Sequence, residues 1–281
     1  MAITTRKPDV FDNLTEGIKR LTDSNAWKDW LTMQSRFHHY SFGNVLLIAS
    51  QCPDATRVAG FNTWRQLGRF VRKGEKAIWI LAPIKRKVGS SDDTPVEPGE
   101  NVRVVTGFRP AAIFDLSQTD GEDLPEIADR LHGDDPGQAY DRLVAVAHSL
   151  GFTVEEDYLD NGINGYCKPS ERSICIEVRN DPAQQVKTLA HEIAHAMLHG
   201  DGFIASREAA ELEAESVAFI VCSGVDIASD SYSFGYVATW VGGGDEALAA
   251  LKASGTRIQR TAADILDRLE AASNGGLSDA A

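Results

Sequence analysis

Cysteine is scarce in this chain. Cys52, Cys167, Cys175 and Cys222 show no C-x-x-C spacing and no disulfide framework, which excludes a small stapled scaffold. No apolar run approaches the ~18 residues that a membrane span needs. The N-terminal stretch MAITTRKPDVFDN lacks an apolar h-region, so the expected compartment is the reducing cytoplasm. No internal repeat is present. Cations are sparse in residues 119–281, where 11 Lys and Arg face 29 Asp and Glu, a net −18; residues 1–118 hold 17 against 12, a net +5. Such an imbalance predicts two domains with different partners. The basic part suits a polyanion; the acidic part does not bind one unaided. With 281 residues, 43% of them apolar and 25% charged, the composition is that of a globular protein with room for two cores.

Apolar spacing predicts helices over Phe11–Leu21 and Ala26–Phe37, with Asp12 and Ser24 or Asn25 as N-caps, then a buried helix through VLLIAS and a short one at Asn62–Leu67 ended by Gly68. Lys76–Lys87 and Val102–Asp115 read as paired strands around a polar, Pro/Gly-rich loop. The acidic stretch 119–137 is expected to be an interdomain linker. Beyond it the pattern predicts a helix at Ala139–Leu150, strands at Phe152–Glu156 and Ile174–Val178, and a third strand candidate at 161–167. Four helices complete the reading: one through TLAHEIAHAMLHG, one over Arg207–Cys222, and two at 234–241 and 245–272. The tail 273–281 is expected to be disordered.

His191-Glu192-Ile193-Ala194-His195 is an H-E-x-x-H. Histidines four apart share one helix face, so both imidazoles can reach a single zinc ion while Glu192 serves as general base towards a water acidified there. Apolar neighbours flank the polar residues, as a buried active helix requires. A third ligand must come from REAAELEAESVA at 207–218: Glu211 is favoured, with Glu215 one turn on holding a histidine N–H, and Glu213 stays open as an alternative. His199 extends the same face by a turn, but position 198 is Leu and the glycine comes at 200, so it does not complete an H-E-x-x-H-x-x-G-x-x-H. It is placed as a supporting residue or a cation at the helix C-terminus. An extended substrate is expected to pair along Ile174–Val178 if that strand is a sheet edge.

TLAHEIAHAMLHG followed by ELEAESVAFIVC resembles the ImmA/IrrE-type zinc metallopeptidases, with Val217 where the family pattern has an aromatic; the resemblance implies Glu211 as the third ligand. The stretch from Ser35 to Ile84 resembles the N-terminal single-stranded-DNA-binding domain of ArdC-type antirestriction proteins. The likeness is carried by Tyr40–Leu47, the Trp64 helix, and the Leu67-Gly68 run ending at Lys76. It implies a protein of plasmids or other mobile elements that pairs a DNA-binding module with a peptidase-like one.

The basic segment supports that implication on its own chemistry. Between Arg57 and Lys87 nine cations stand against Glu75 alone, interleaved with Phe61, Trp64, Phe70 and Trp79. Charge for phosphates and rings for bases are what single-strand binding uses. The expected fold is α+β in two domains: a helices-plus-β-hairpin domain over 1–118 and a zincin-like domain over 138–272. The first would hold single-stranded DNA through Arg36, Arg69, Arg72, Lys73 and Lys76, with Tyr40 and Trp64 stacking. The second would hold zinc and cleave peptide bonds of DNA-associated proteins. The alternative is a DNA-shielding protein in which zinc is structural; a DNA-mimic role for the acidic half ranks lower, because its acids are dispersed.

Overall fold

The computed structural model describes residues 9–87, 103–123, 136–160, 162–200, 206–227 and 245–275. The fold is mixed α and β, and the chain separates into two compact units, Met1–Thr15 with Leu47–Asp123, and Glu16–Leu46 with Leu124–Ala281. The expected division at 118 therefore moves: Glu16–Leu46 packs with the C-terminal half. The physical reason is α2 (Ser24–Arg36), which buries Trp27, Trp30 and Leu31 and donates the Trp27 indole N–H to Ser216 Oγ at 3.0 Å. An amphipathic helix joins whichever unit offers it apolar surface, regardless of chain order. Redrawn on these units, the N-terminal one has 13 Lys and Arg against 12 Asp and Glu, so its cations matter by position rather than by net charge.

Caps lie slightly upstream of the expected residues. The Asp9 carboxylate accepts from Phe11 and Asp12 N–H at the start of α1 (Val10–Arg20), and Asp23 accepts from Asn25 and Ala26 N–H at the start of α2. Helix α3 (Phe42–Gln51) follows, and the division into units passes through it.

In the N-terminal unit β1 (Val58–Gly60) leads to α4 (Phe61–Gln66), β2 (Arg69–Val71), β3 (Ile78–Lys87) and β4 (Arg103–Asp115). The sheet order is β1-β4-β3, all antiparallel, with a register shift between Ile84 and Lys85. Ile78, Ile80 and Ile113 are buried at the base of the β3–β4 ribbon, whereas Ile84, Val104, Val105 and Phe108 further along are exposed. The loop that joins these strands lies outside the described residues. Asp115 is buried, and its carboxylate accepts from Thr56, Arg57 and Ser117 N–H; burial alone would raise its pKa, but these donors hold it below the usual range.

The stretch expected to be a linker begins as a strand. Thr119–Gly121 forms β5, paired antiparallel with β2. The strands come so close at Gly121 (φ 138°) that a Cβ there would collide with the Gly68 carbonyl, so glycine is required. Residues 124–135 lie outside the described part, and a helix already runs from Pro136.

The C-terminal unit contains α5 (Pro136–Ser149), β6 (Thr153–Asp157), β7 (Gly165–Lys168), β8 (Ser173–Glu177), α6 (Pro182–His199), α7 (Arg207–Gly224) and α8 (Asp245–Gly275). Because α8 runs to Gly275, residues 273–275 are helical rather than part of a tail. The expected helix at 234–241 and residues 276–281 fall outside the described residues. Sheet order is β6-β8-β7, with β6 parallel and β7 antiparallel to β8. Strand β8 is therefore central, so the condition for pairing a substrate along it, a place at the sheet edge, is not met; its continuous apolar run, with Ile174 and Ile176 fully buried, is what a doubly covered strand requires. The edge strands are β6 and β7, and β7 is the one that borders the cleft described below. Helix α7 is buried almost all round, against α6, α8 and α2. Each fully buried Leu or Ile here, such as Leu189 or Ile193, contributes about 1.5–3 kcal/mol.

Glu177 ends β8 and ties down the following loop. Its carboxylate pairs with the Arg179 guanidinium at 2.6 Å and accepts from Leu159 N–H at 2.8 Å and Arg179 N–H at 2.9 Å. The Arg179 bonds hold its pKa at about 2 against the usual 4.5, outweighing burial. This contribution to stability is complete above about pH 4.5 and is lost as pH falls through about 2. Glu177→Gln is therefore expected to lower the melting temperature at neutral pH and flatten the acid limb between those values. A pH–stability curve unchanged by the substitution would refute the assignment.

Candidate functional site

Helix α6 starts at a strong signal: Asp181 accepts from Gln184 N–H at 3.0 Å, and Pro182 occupies the first turn, where its missing N–H is harmless. Val186, Leu189, Ala190, Ile193 and Ala194 bury the inner face, which turns His191, His195 and His199 towards a cleft of about 830 Å³. The cleft is bounded by β7, α6 and the first turns of α7. Gly165 allows β7 to approach: a Cβ there would lie 2.6 Å from Thr188 Cγ2 and 2.9 Å from the Cys175 carbonyl.

On the floor, His191 Nε2 and His195 Nε2 are 3.0 Å apart, and Glu211 Oε2 lies 3.5 Å from the first and 3.7 Å from the second. Two ligands held tetrahedrally at about 2.1 Å from zinc would be about 3.4 Å apart, so these three atoms are spaced to share one ion. Glu215 Oε2 lies 3.2 Å from His191 Nδ1, an ion-pair contact rather than a well-aligned hydrogen bond, and its other oxygen meets Lys187 Nζ at 3.3 Å. That contact favours a proton on Nδ1 and leaves the Nε2 lone pair facing the cleft.

The electrostatics agree with this donor set. Burial pulls the His191 imidazole down, but Glu211 and Glu215 outweigh it and push its pKa up to about 9. Glu211 is driven far below the ordinary carboxylate range by the same two histidines. The cluster is built around one positive charge, which a proton or a divalent ion can supply. Glu192 is 7% exposed; burial raises its pKa, and the nearby His191 and His195 imidazoles oppose this. The Cys167 thiol is pushed up to about 11 by burial and by Glu192.

The three glutamates of α7 separate by helical phase. Glu211 faces the histidine pair and Glu215 faces His191 and Lys187. Glu213, 1% exposed, turns inward to a bidentate pair with Arg257 of α8, with His199 Nε2 at 3.8 Å. Residues of the cleft that sequence reasoning missed are Tyr166 and Cys167 on β7, together with Lys187 and Arg207. Only the strand pairing brings the β7 residues there, so no local pattern announces them.

The residues expected to hold DNA do not form one set. Arg36 and Tyr40 belong to the C-terminal unit, where the Tyr40 ring is half-buried edge-on against Phe37. Trp64 is not available for stacking: it is 2% exposed and its indole N–H donates to the Phe114 carbonyl at 2.9 Å, which makes it a core residue. Arg69 is spent on the β2–β5 ribbon, donating to Thr119 Oγ1 and to the Thr119 and Glu122 carbonyls. Arg72 pairs with Glu75 at 2.8 Å and Asp120 at 3.3 Å. Lys73 and Lys76 are exposed and make no ion pair among the described residues. The exposed phenylalanine rings of this unit, among the described residues, are Phe11, Phe61, Phe70 and Phe108. Among the described residues, no helix is long and apolar enough to cross a membrane.

Two family models match successive parts of the chain, and the first includes Glu16–Leu46, which groups with the C-terminal half in the structure. Residues 9–110 match the family described as the N-terminal domain of anti-restriction factor ArdC, and residues 148–222 match the IrrE N-terminal-like domain of peptidase family M78. The chain is 26% identical, over 333 aligned residues, to an uncharacterized protein of Bacillus anthracis; the alignment takes in 96% of this chain and 54% of that protein, so the chain spans about half the length of this curated relative. Crystal structures of the antirestriction protein ArdC from plasmid R388 share the fold. The metal-free form matches with a TM-score of 0.58 at 22% identity, covering 94% of this chain and 99% of that one. The Mn(II)-bound form matches with a TM-score of 0.56 at 21% identity, covering 92% and 97%.

Proposed function

We propose that this ArdC-like protein, which joins an ArdC N-terminal domain to an IrrE-type domain, is a zinc-dependent peptidase of the antirestriction type that acts on proteins associated with single-stranded DNA. The observation that carries the reading is the convergence of His191 Nε2, His195 Nε2 and Glu211 Oε2 beside the buried Glu192 in a wide, open-sided cleft. When bound by these three residues, zinc supplies Lewis acidity and makes water a usable nucleophile near neutral pH. Glu192, buried beside both histidines, would take a proton from the attacking water and return it to the leaving amine. Glu215 and Lys187 keep His191 oriented. The edge strand β7 lines the cleft, so an extended substrate backbone would pair along it, not along β8.

For the DNA partner, the surface argument rests on Lys73 and Lys76, with Phe61, Phe70 and Phe108 as stacking rings in place of Trp64. Binding to DNA would raise the effective concentration of the peptidase near its targets. Two measurements test the reading together. Zinc titration of metal-free protein should lose one equivalent in His195→Ala, along with peptidase activity. The salt dependence of single-strand binding should flatten in Lys73→Ala/Lys76→Ala by about 0.7 in the log–log slope per lost phosphate contact. A slope that the double substitution leaves unchanged would remove these lysines from the interface.

A further inference from the structure

A second group of metal-ligating side chains lies within the C-terminal unit and shares no residue with the cleft. His38 and His39 follow α2, and Asp267 and Glu270 stand three apart on one face of α8. His38 Nε2 lies 3.8 Å from Asp267 Oδ1 and 3.8 Å from Glu270 Oε1, and His39 Nδ1 lies 3.6 Å from Asp267 Oδ1. These separations exceed a hydrogen bond. They lie within a few tenths of an ångström of the about 3.4 Å expected between ligands of one zinc ion. They also match the 3.5 and 3.7 Å from Glu211 to the two histidines of the cleft.

His38 Nε2 is buried and has no hydrogen-bond partner, although two carboxylate oxygens face it. A buried polar nitrogen left this way is costly unless something bridges it to those oxygens. The arrangement is also anchored: Gln259 Nε2, two turns earlier on α8, donates to the His38 carbonyl at 2.9 Å, and the two imidazoles lie in contact with centroids 4.0 Å apart and planes tilted by 46°. A cavity of about 100 Å³, lined by His38, Glu270 and Asp226 among others, adjoins the group and has room for an ion with coordinated water.

We propose that His38, His39, Asp267 and Glu270 form a second divalent-cation site, with two imidazole nitrogens and two carboxylate oxygens suited to Zn²⁺, which clamps the segment after α2 onto α8. His39 and both acids are exposed on one side, so the ion exchanges with solvent more readily than an enclosed structural zinc. The site stands independently of the peptidase reading.

The test is equilibrium dialysis of metal-free, full-length protein against Zn²⁺, with zinc per chain counted by mass spectrometry. Two equivalents are expected in the unaltered protein, one in Asp267→Asn/Glu270→Gln, one in His191→Ala, and none in the combined variant. Both acids are about half exposed, so the double substitution is expected to leave the far-UV circular dichroism unchanged. A zinc count that Asp267→Asn/Glu270→Gln does not lower overturns the second site and leaves an ion-pair cluster in its place. A count lowered by that variant but untouched by His191→Ala sinks the cleft site instead, so the two failures are distinguishable. In the His191→Ala background Zn²⁺ should raise the melting temperature by several degrees, and the rise should vanish with Asp267→Asn/Glu270→Gln. No rise overturns the clamp.

Discussion

Glu192→Gln is expected to leave zinc stoichiometry and single-strand binding unchanged while lowering peptidase turnover by about 10²–10⁴-fold. The substitution is nearly isosteric, so the packing around this buried side chain is kept. What it removes is the group that takes up a proton. Burial favours the protonated form of Glu192 relative to an exposed carboxylate, which brings its proton affinity closer to that of a base working near neutrality. The assay is cleavage of a protein bound to single-stranded DNA, with and without the DNA. Turnover unaffected by the substitution would take Glu192 out of the chemistry. Protection of DNA against restriction that survives Glu192→Gln but not Lys73→Ala/Lys76→Ala would favour the binding-only alternative.

How much of this was legible in the chain depended on the range of the interactions. His191 and His195 meet because a helix repeats every 3.6 residues, so their pairing is a local property that the sequence displays. The phase of Glu211, Glu213 and Glu215 is local too, but which phase faces the histidines depends on how α7 packs on α6, and spacing alone left three candidates. The edge position of β7 was not legible, since it follows from pairing Gly165–Lys168 with a strand whose own neighbours lie elsewhere in the chain. Trp64 and Arg69 show the same limit. A tryptophan among cations reads as a stacking ring until the Phe114 carbonyl is found at its indole, and Arg69 reads as a phosphate ligand until β5 is found beside it. Composition located the basic segment, whereas tertiary contacts decided which of its members remain available.

The second large effect concerns Glu213, the glutamate that faces neither histidine. Arg257→Ala is expected to destabilise the C-terminal unit by about 3–5 kcal/mol, because it strands a carboxylate at 1% exposure inside the helical core. Arg257 is itself over one-third exposed, so its own charge is screened, and the penalty comes from Glu213 losing both hydrogen bonds of a bidentate pair. Against a total stability of about 5–15 kcal/mol for a protein of ordinary size, that loss should appear as a drop of many degrees in melting temperature. Arg257→Lys keeps the charge but not the paired geometry and should fall between. Glu213→Gln with Arg257→Met removes the buried charge altogether and should recover much of the loss, which separates a stranded carboxylate from mere lost packing. A double variant as unstable as Arg257→Ala would point to packing instead. Because Glu213 lies between Glu211 and Glu215 on the same two turns of α7, displacing it should also loosen zinc at temperatures where Arg257→Ala is still folded. In the double variant, zinc affinity should return together with the melting temperature.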